Sequence, residues 1–145
     1  MQTIVAALDG SPRAEGVLVS AIAIATAQAA RLVLVRSIGL PTDVPQDLWR
    51  STDAPLLVVL EERAQEYLAH CESRVPESVR GGKCVVVGVP WEAICRTAQT
   101  LNADLAVIGS HGYGGVDRLL GTTAAKVVNH CTCSVLVHKE PLPVT

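Results

Sequence analysis

Thr3-Ile-Val-Ala-Ala-Leu-Asp-Gly-Ser-Pro12 opens on an apolar run and closes on a turn cluster. A short apolar run bounded by turn formers is the mark of a buried strand. Ser11-Pro12 sets a hydroxyl before a residue whose fixed φ suits a first helical position. Ser11 is therefore the expected N-cap and Pro12 the expected helix start. The Ala-rich stretch that follows continues that helix to about Ala30. Arg31-Leu-Val-Leu-Val-Arg36 is apolar on consecutive positions, which fits a strand covered on both faces, as in parallel sheets.

The same alternation runs on through the chain. Gly39 to Pro55 carries three prolines and reads as the longest loop. Glu61 to Arg74 follows as a helix, with Leu60, Ala64, Tyr67, Leu68 and Cys71 at three- and four-residue spacing. Pro76 and the Gly81-Gly82 pair break the chain before a third strand, Lys83 to Val87. A helix from about Trp91 to Leu101, a strand from Asp104 to Ile108 and a glycine-rich loop from Gly109 to Gly115 come next. A last helix, Thr122 to His130, leads to a fifth strand, Ser134 to His138. Five strands alternating with helices predict one α/β domain over residues 1–145 with a mostly parallel sheet. Ligands of such sheets sit past the carboxyl ends of the strands, where strand order reverses. Asp9-Gly10-Ser11 and the segment from Gly109 to Thr123 are the two turns expected there.

Composition narrows the function. Apolar residues make up 49% and charged residues 18%, a globular balance. Aromatics are 3% with no Phe, so the core is Val, Leu, Ile and Ala. That argues against base-stacking recognition of single-stranded nucleic acid. The net charge of −2 comes without any Lys or Arg block, which argues against a nucleic-acid footprint. The uncharged stretch from Gly16 to Ala30 falls short of the ~20 residues of a membrane span and contains Ser20, Thr26 and Gln28. Met1-Gln-Thr3 has no basic n-region, so no secretory signal is expected and a cytoplasmic location is the default. Five cysteines, none in a CxxC pair, fit free thiols in a reducing compartment. Cys131-Thr-Cys133 is the sharper alternative, a thiol redox sensor.

Gly109-Ser-His-Gly112-Tyr-Gly-Gly-Val-Asp-Arg-Leu-Leu-Gly121-Thr-Thr-Ala124 carries the most chemistry. Glycines let backbone N–H groups converge on an anion. Gly121, Thr122 and Thr123 stand at the start of a helix, where N–H groups and hydroxyls suit a phosphate. The pattern is neither Walker A nor a GxGxxG after the first strand. A flexible loop before a capped helix is the plainer reading. Asp9 suits a ribose or a phosphate-bound metal, and equally a turn aspartate bonded to the backbone at Ser11. His111 lies inside the glycine loop. His70, His130 and His138 have no metal-ligand spacing, and no Ser/His/Asp or Cys/His set can be assembled from the sequence.

Over its whole length the chain resembles the universal stress protein family. The resemblance rests on Ile4 to Pro12, Val85-Val-Val-Gly88-Val-Pro90 with Ala93-Ile94, Asp104-Leu-Ala-Val-Ile-Gly-Ser-His-Gly112, and Val127 to Val137. It implies an adenine-nucleotide α-hydrolase-like fold: a five-stranded parallel sheet of order 3-2-1-4-5, helices on both faces. It also implies a homodimer through the last strand, Ser134 to His138. The family's nucleotide-binding branch carries Gly-x2-Gly-x9-Gly-Ser/Thr. Gly109, Gly112, Gly121 and Thr122 match it, with eight residues rather than nine between Gly112 and Gly121. The resemblance implies ATP and Mg2+ as ligands, with the nucleotide as a regulatory switch in stress response. Asp9 would lie at ribose or metal, and backbone at Ala7 and Ser37, with Ile108, around adenine. Leu8 and His111 complete the cofactor-binding set. Ser37 stands where Val is frequent in the family. Binding is favoured over catalysis, since His111 and Arg118 are the only groups near the loop suited to slow ATP hydrolysis. The alternative is a dimeric interaction module without nucleotide, to which the short loop points.

Overall fold

The computed structural model describes residues 1–39, 54–110 and 120–140. Five strands run through it: β1 (Thr3–Ala7), β2 (Arg31–Ile38), β3 (Arg80–Val87), β4 (Leu105–Gly109) and β5 (Ser134–His138). Between them lie α1 (Ala14–Gln28), α2 (Ala54–Ser73), α3 (Pro90–Thr100) and α4 (Thr122–His130). All strand pairs are parallel, as the run of apolar strands leads one to expect, and the order is β3-β2-β1-β4-β5, as the family resemblance implies.

Alternation along the strands builds two apolar layers. Ile4, Ala6 and Leu8, with Leu32, Leu34, Leu105 and Val107, point to the side covered by α1 and α2. Val5, Val33 and Val35 form a patch on the other side, with Leu101 and Ala103 against it. Ile108 packs there with Ile94, Ala124 and Val127 of α3 and α4. β1 carries no charged residue and lies between two strands, so its centre is wholly buried. Each fully buried Leu, Ile or Val contributes about 1.5–3 kcal/mol of transfer free energy. In α1 the buried residues are Ala14, Val17, Leu18, Ala21 and Ala25, one stripe at helical spacing. Small alanines let this helix approach the sheet closely, so large aromatic side chains are not needed there. α1 ends at Ala29, which adopts the left-handed conformation at φ 51° without being glycine.

Several boundaries differ from those expected, each for a physical reason. The first helix begins at Ala14, not Pro12, because the Ser11 side chain is engaged elsewhere and the chain makes a tight turn first. The Ala14 N–H bonds the Ser11 carbonyl at 3.0 Å. α2 starts at Ala54 rather than Glu61, so the helix takes in the end of the stretch read as loop. Residues 40–53 of that stretch lie outside the described residues. Gly81-Gly82 does not interrupt the chain but sits inside β3, at a register shift opposite Leu32 and Val33. A Cβ on Gly81 would meet the Leu32 carbonyl oxygen at 2.8 Å, which explains glycine there. At the chain surface Arg74, just past the end of α2, holds Glu15 of α1 through two hydrogen bonds, at 2.6 and 2.5 Å.

Candidate functional site at the carboxyl ends of β1 and β4

Strand order reverses between β1 and β4, because β2 leaves β1 on one side and β4 returns on the other. In open α/β sheets this is where a ligand crevice forms, past the carboxyl ends of the strands. Asp9 follows β1 at this edge and is exposed. Its Oδ1 accepts the Ser11 N–H at 2.9 Å and the Ser11 hydroxyl at 2.6 Å. Gly10 between them has φ 77°, a conformation that favours glycine. A Cβ there would also strike the Arg36 guanidinium, which lies directly behind the turn. Arg36 in turn stands 5.4 Å from the centre of the Tyr67 ring. Burial, the largest cause, pushes the Tyr67 phenol up. Asp9 is thus a turn aspartate by its Oδ1 contacts, held rigidly at the crevice.

β4 leads to the second wall. The Gly121 N–H bonds the Ser110 carbonyl at 2.8 Å, and the Ser110 N–H bonds the His138 carbonyl at 3.0 Å. These bonds clamp the end of β4, the start of α4 and the end of β5. Gly121 is the N-cap of α4 at φ −61° and ψ 162°, with no side-chain cap. The first helical bond runs from the Ala125 N–H to the Gly121 carbonyl at 2.9 Å. The N–H groups of Thr122, Thr123 and Ala124 therefore have no partner inside the helix. Together with the positive end of the helix dipole they favour an anion. Thr122 is exposed and Thr123 half-buried at that end.

The remaining expected residues fall into place around these walls. Ala7 packs against the cluster that contains Ile108, so the two share one face. Strand alternation puts Ser37 on that same face, in phase with Val33 and Val35. The Ser37 hydroxyl donates to the Gly88 carbonyl at 2.9 Å. The Leu8 side chain is buried in the opposite layer and its N–H bonds the Val35 carbonyl at 2.9 Å. Leu8 therefore offers the crevice only the remainder of its backbone. Gly109 ends β4. His111, Gly112 and Arg118 lie outside the described residues. Among the described residues no cluster of three or more His, Cys, Asp or Glu side chains is arranged for a metal ion. No described helix is long and apolar enough to cross a membrane.

Sequence reading missed two side-chain groupings. Ser20 Oγ lies 3.0 Å from His138 Nδ1, and His138 Nε2 lies 3.6 Å from Glu140. Ser20 sits mid-helix, where the backbone N–H groups are bonded along α1 and offer no oxyanion donors. The string ties α1 to β5 rather than forming a hydrolytic site. Cys95 and Cys131 are the second grouping, with their sulfur atoms 3.0 Å apart. Positions so far apart in the chain leave no local signal.

The profile of the universal stress protein family matches residues 1–139. The chain belongs to the universal stress protein family. Universal stress protein A homolog 1 of Coxiella burnetii is 32% identical over 136 residues, covering 92% of each chain. Among solved structures, universal stress protein UspA from Lactobacillus plantarum superposes with a TM-score of 0.82 at 22% identity, over 94% of this chain and 96% of that one. A universal stress protein solved in complex with cAMP superposes at TM-score 0.63 and 25% identity, over 95% and 96% of the chains. The universal stress protein from Archaeoglobus fulgidus in complex with dAMP does so at TM-score 0.64 and 23% identity, over 94% and 96%. The β3-β2-β1-β4-β5 sheet and its flanking helices are thus those of this family, and two of its members hold an adenine nucleotide.

Proposed function

We propose that this universal stress protein binds ATP with Mg2+ in the crevice between the β1 and β4 turns, as a regulatory ligand in the stress response. The observation that carries the reading is the α4 N-terminus, which has no side-chain cap and is clamped to the end of β4 at the point where strand order reverses. Adenine nucleotides in two related proteins support the base and first phosphate. Gly109, Gly112, Gly121, Thr122 and Thr123 would hold the phosphates, with His111 beside them. Ala7, Leu8, Ser37 and Ile108 would form the adenine wall. Asp9 would take the ribose or the Mg2+, a cation commonly held by one or two carboxylates together with substrate phosphates. Mg2+ would supply charge neutralisation of the triphosphate. The same reading puts the protein in the cytoplasm as a homodimer through β5, whose residues Ser134–His138 form the outer edge beside β4. An uncovered strand edge favours pairing with a second strand.

Calorimetric titration with ATP, AMP and cAMP, with and without Mg2+, tests the ligand. Tighter binding of ATP than of AMP, strengthened by Mg2+, is expected. Equal affinity for ATP and AMP would remove the triphosphate from the reading, and no binding at millimolar concentration would overturn it in favour of an interaction module without nucleotide. Sedimentation across a concentration series tests the dimer.

A further inference from the structure

Three of the five cysteines gather where α3 passes the carboxyl end of α4. Cys95 lies on α3, Cys131 is the C-cap of α4, and Cys133 precedes β5. All three are free and half-buried, so small oxidants can reach them. The Cys131 thiol points at the Cys95 sulfur, 3.0 Å away. A disulfide needs about 2.05 Å between sulfurs, so the two sulfur atoms have only about 1 Å left to close. The surroundings are Ile94, Ala124 and Val127 with Trp91, an apolar wall that holds both side chains in place.

We propose that Cys95 and Cys131 are an oxidative modification site, which a peroxide converts into a disulfide joining α3 to the end of α4. The sequence points instead to Cys131 and Cys133, whose thiols also lie close enough to interact; the Cys131 thiol is nevertheless directed at the Cys95 sulfur. One thiol loses its proton, its thiolate sulfur attacks a peroxide oxygen, the O–O bond breaks, and a sulfenic acid forms as the departing hydroxide takes up that proton to leave as water. The second sulfur attacks the sulfenic sulfur, the S–O bond breaks, and the departing hydroxide takes the second thiol's proton as water. Two thiols lose two electrons in all, and hydrogen peroxide is reduced to two waters. Burial, the largest cause, pushes the Cys131 and Cys133 thiols up, so the thiolate is scarce at neutral pH and peroxide is needed in excess. The bond leaves the α4 N-terminus untouched and fixes the opposite end of that helix.

The test treats fully reduced full-length protein with excess hydrogen peroxide, followed by thiol titration and non-reducing peptide mapping. Free thiols should fall from five to three. A peptide containing Cys95 should appear joined to the peptide containing Cys131, and dithiothreitol should restore all five thiols. Cys133→Ser should form the same link, and Cys95→Ser should not. Fragmentation of the linked wild-type peptide assigns the partner even if a variant fails to fold. A Cys131–Cys133 or Cys95–Cys133 bond, a bond between two chains, sulfinic acid without a link, or five unchanged thiols would each overturn the proposal.

Discussion

The Ser37 hydroxyl donates to the Gly88 carbonyl, joining the end of β2 to the turn after β3 across 2.9 Å. The reverse tie, Gly88 N–H to the Ile38 carbonyl at 3.0 Å, closes the same corner. A Val at this position would offer a larger apolar surface and no hydroxyl. Here the wall is braced by a hydrogen bond instead. Ser37→Val should cost about 0.5–1.5 kcal/mol of stability, since the Gly88 carbonyl loses its donor. Urea denaturation monitored by far-UV circular dichroism measures this. A stability unchanged or raised would show that the bond adds nothing.

Gly121→Asp separates binding from folding. Backbone angles of φ −61° and ψ 162° at Gly121 suit Asp, a good N-cap, so stability should hold or rise by a few tenths of a kcal/mol. The new carboxylate occupies the place of a phosphate and repels it. Affinity for ATP should fall at least tenfold, about 1.4 kcal/mol, in calorimetric titration. Undiminished binding would move the phosphates away from α4.

Asp104 predicts a feature of acid unfolding. Its Oδ2 accepts the N–H groups of Gln2 and Thr3 at 2.7 and 2.9 Å, and these bonds hold the carboxyl below its ordinary value. A carboxyl depressed in the folded state adds stability above its unfolded pKa, and that increment is lost as pH falls through the lower folded value. The window lies below the ordinary 3.8. Asp104→Asn should therefore flatten the fall of the urea midpoint below about pH 4, relative to wild type.

Ala29→Gly should stabilise the protein. Ala29 is exposed at φ 51°, where an L side chain costs about 1–2 kcal/mol and glycine does not. Glycine's greater freedom in the unfolded chain offsets part of that, leaving about 0.5–1 kcal/mol. A lower melting temperature for the variant would refute the strain.

Apolar runs such as Ile4 to Leu8 and Leu105 to Ile108 were legible as strands because burial on both faces removes polar residues. The α4 boundaries were legible too, since Gly121 and Cys131 bracket a clear helical period. Gly81-Gly82 was misleading because glycine marks both turns and irregular strands, and only the neighbour at Leu32 decides between them. Ser11 looked like a cap because its competition for Asp9 is invisible without coordinates. The pairing of Cys95 with Cys131 depends on how α3 and α4 cross, which no local pattern encodes.

The place of β1 has a consequence for biosynthesis. β1 is made first, yet it is the middle strand, with Thr3 beside Arg31 and Ile4 beside Leu105. Its partner on one side emerges early, while the other appears only after most of the chain has been translated. Until then the nascent three-stranded sheet β3-β2-β1 presents an open apolar edge, which invites wrong pairing. Late-forming contacts between distant segments also slow folding. The strand at the centre of the sheet is thus the one that waits longest for its second neighbour.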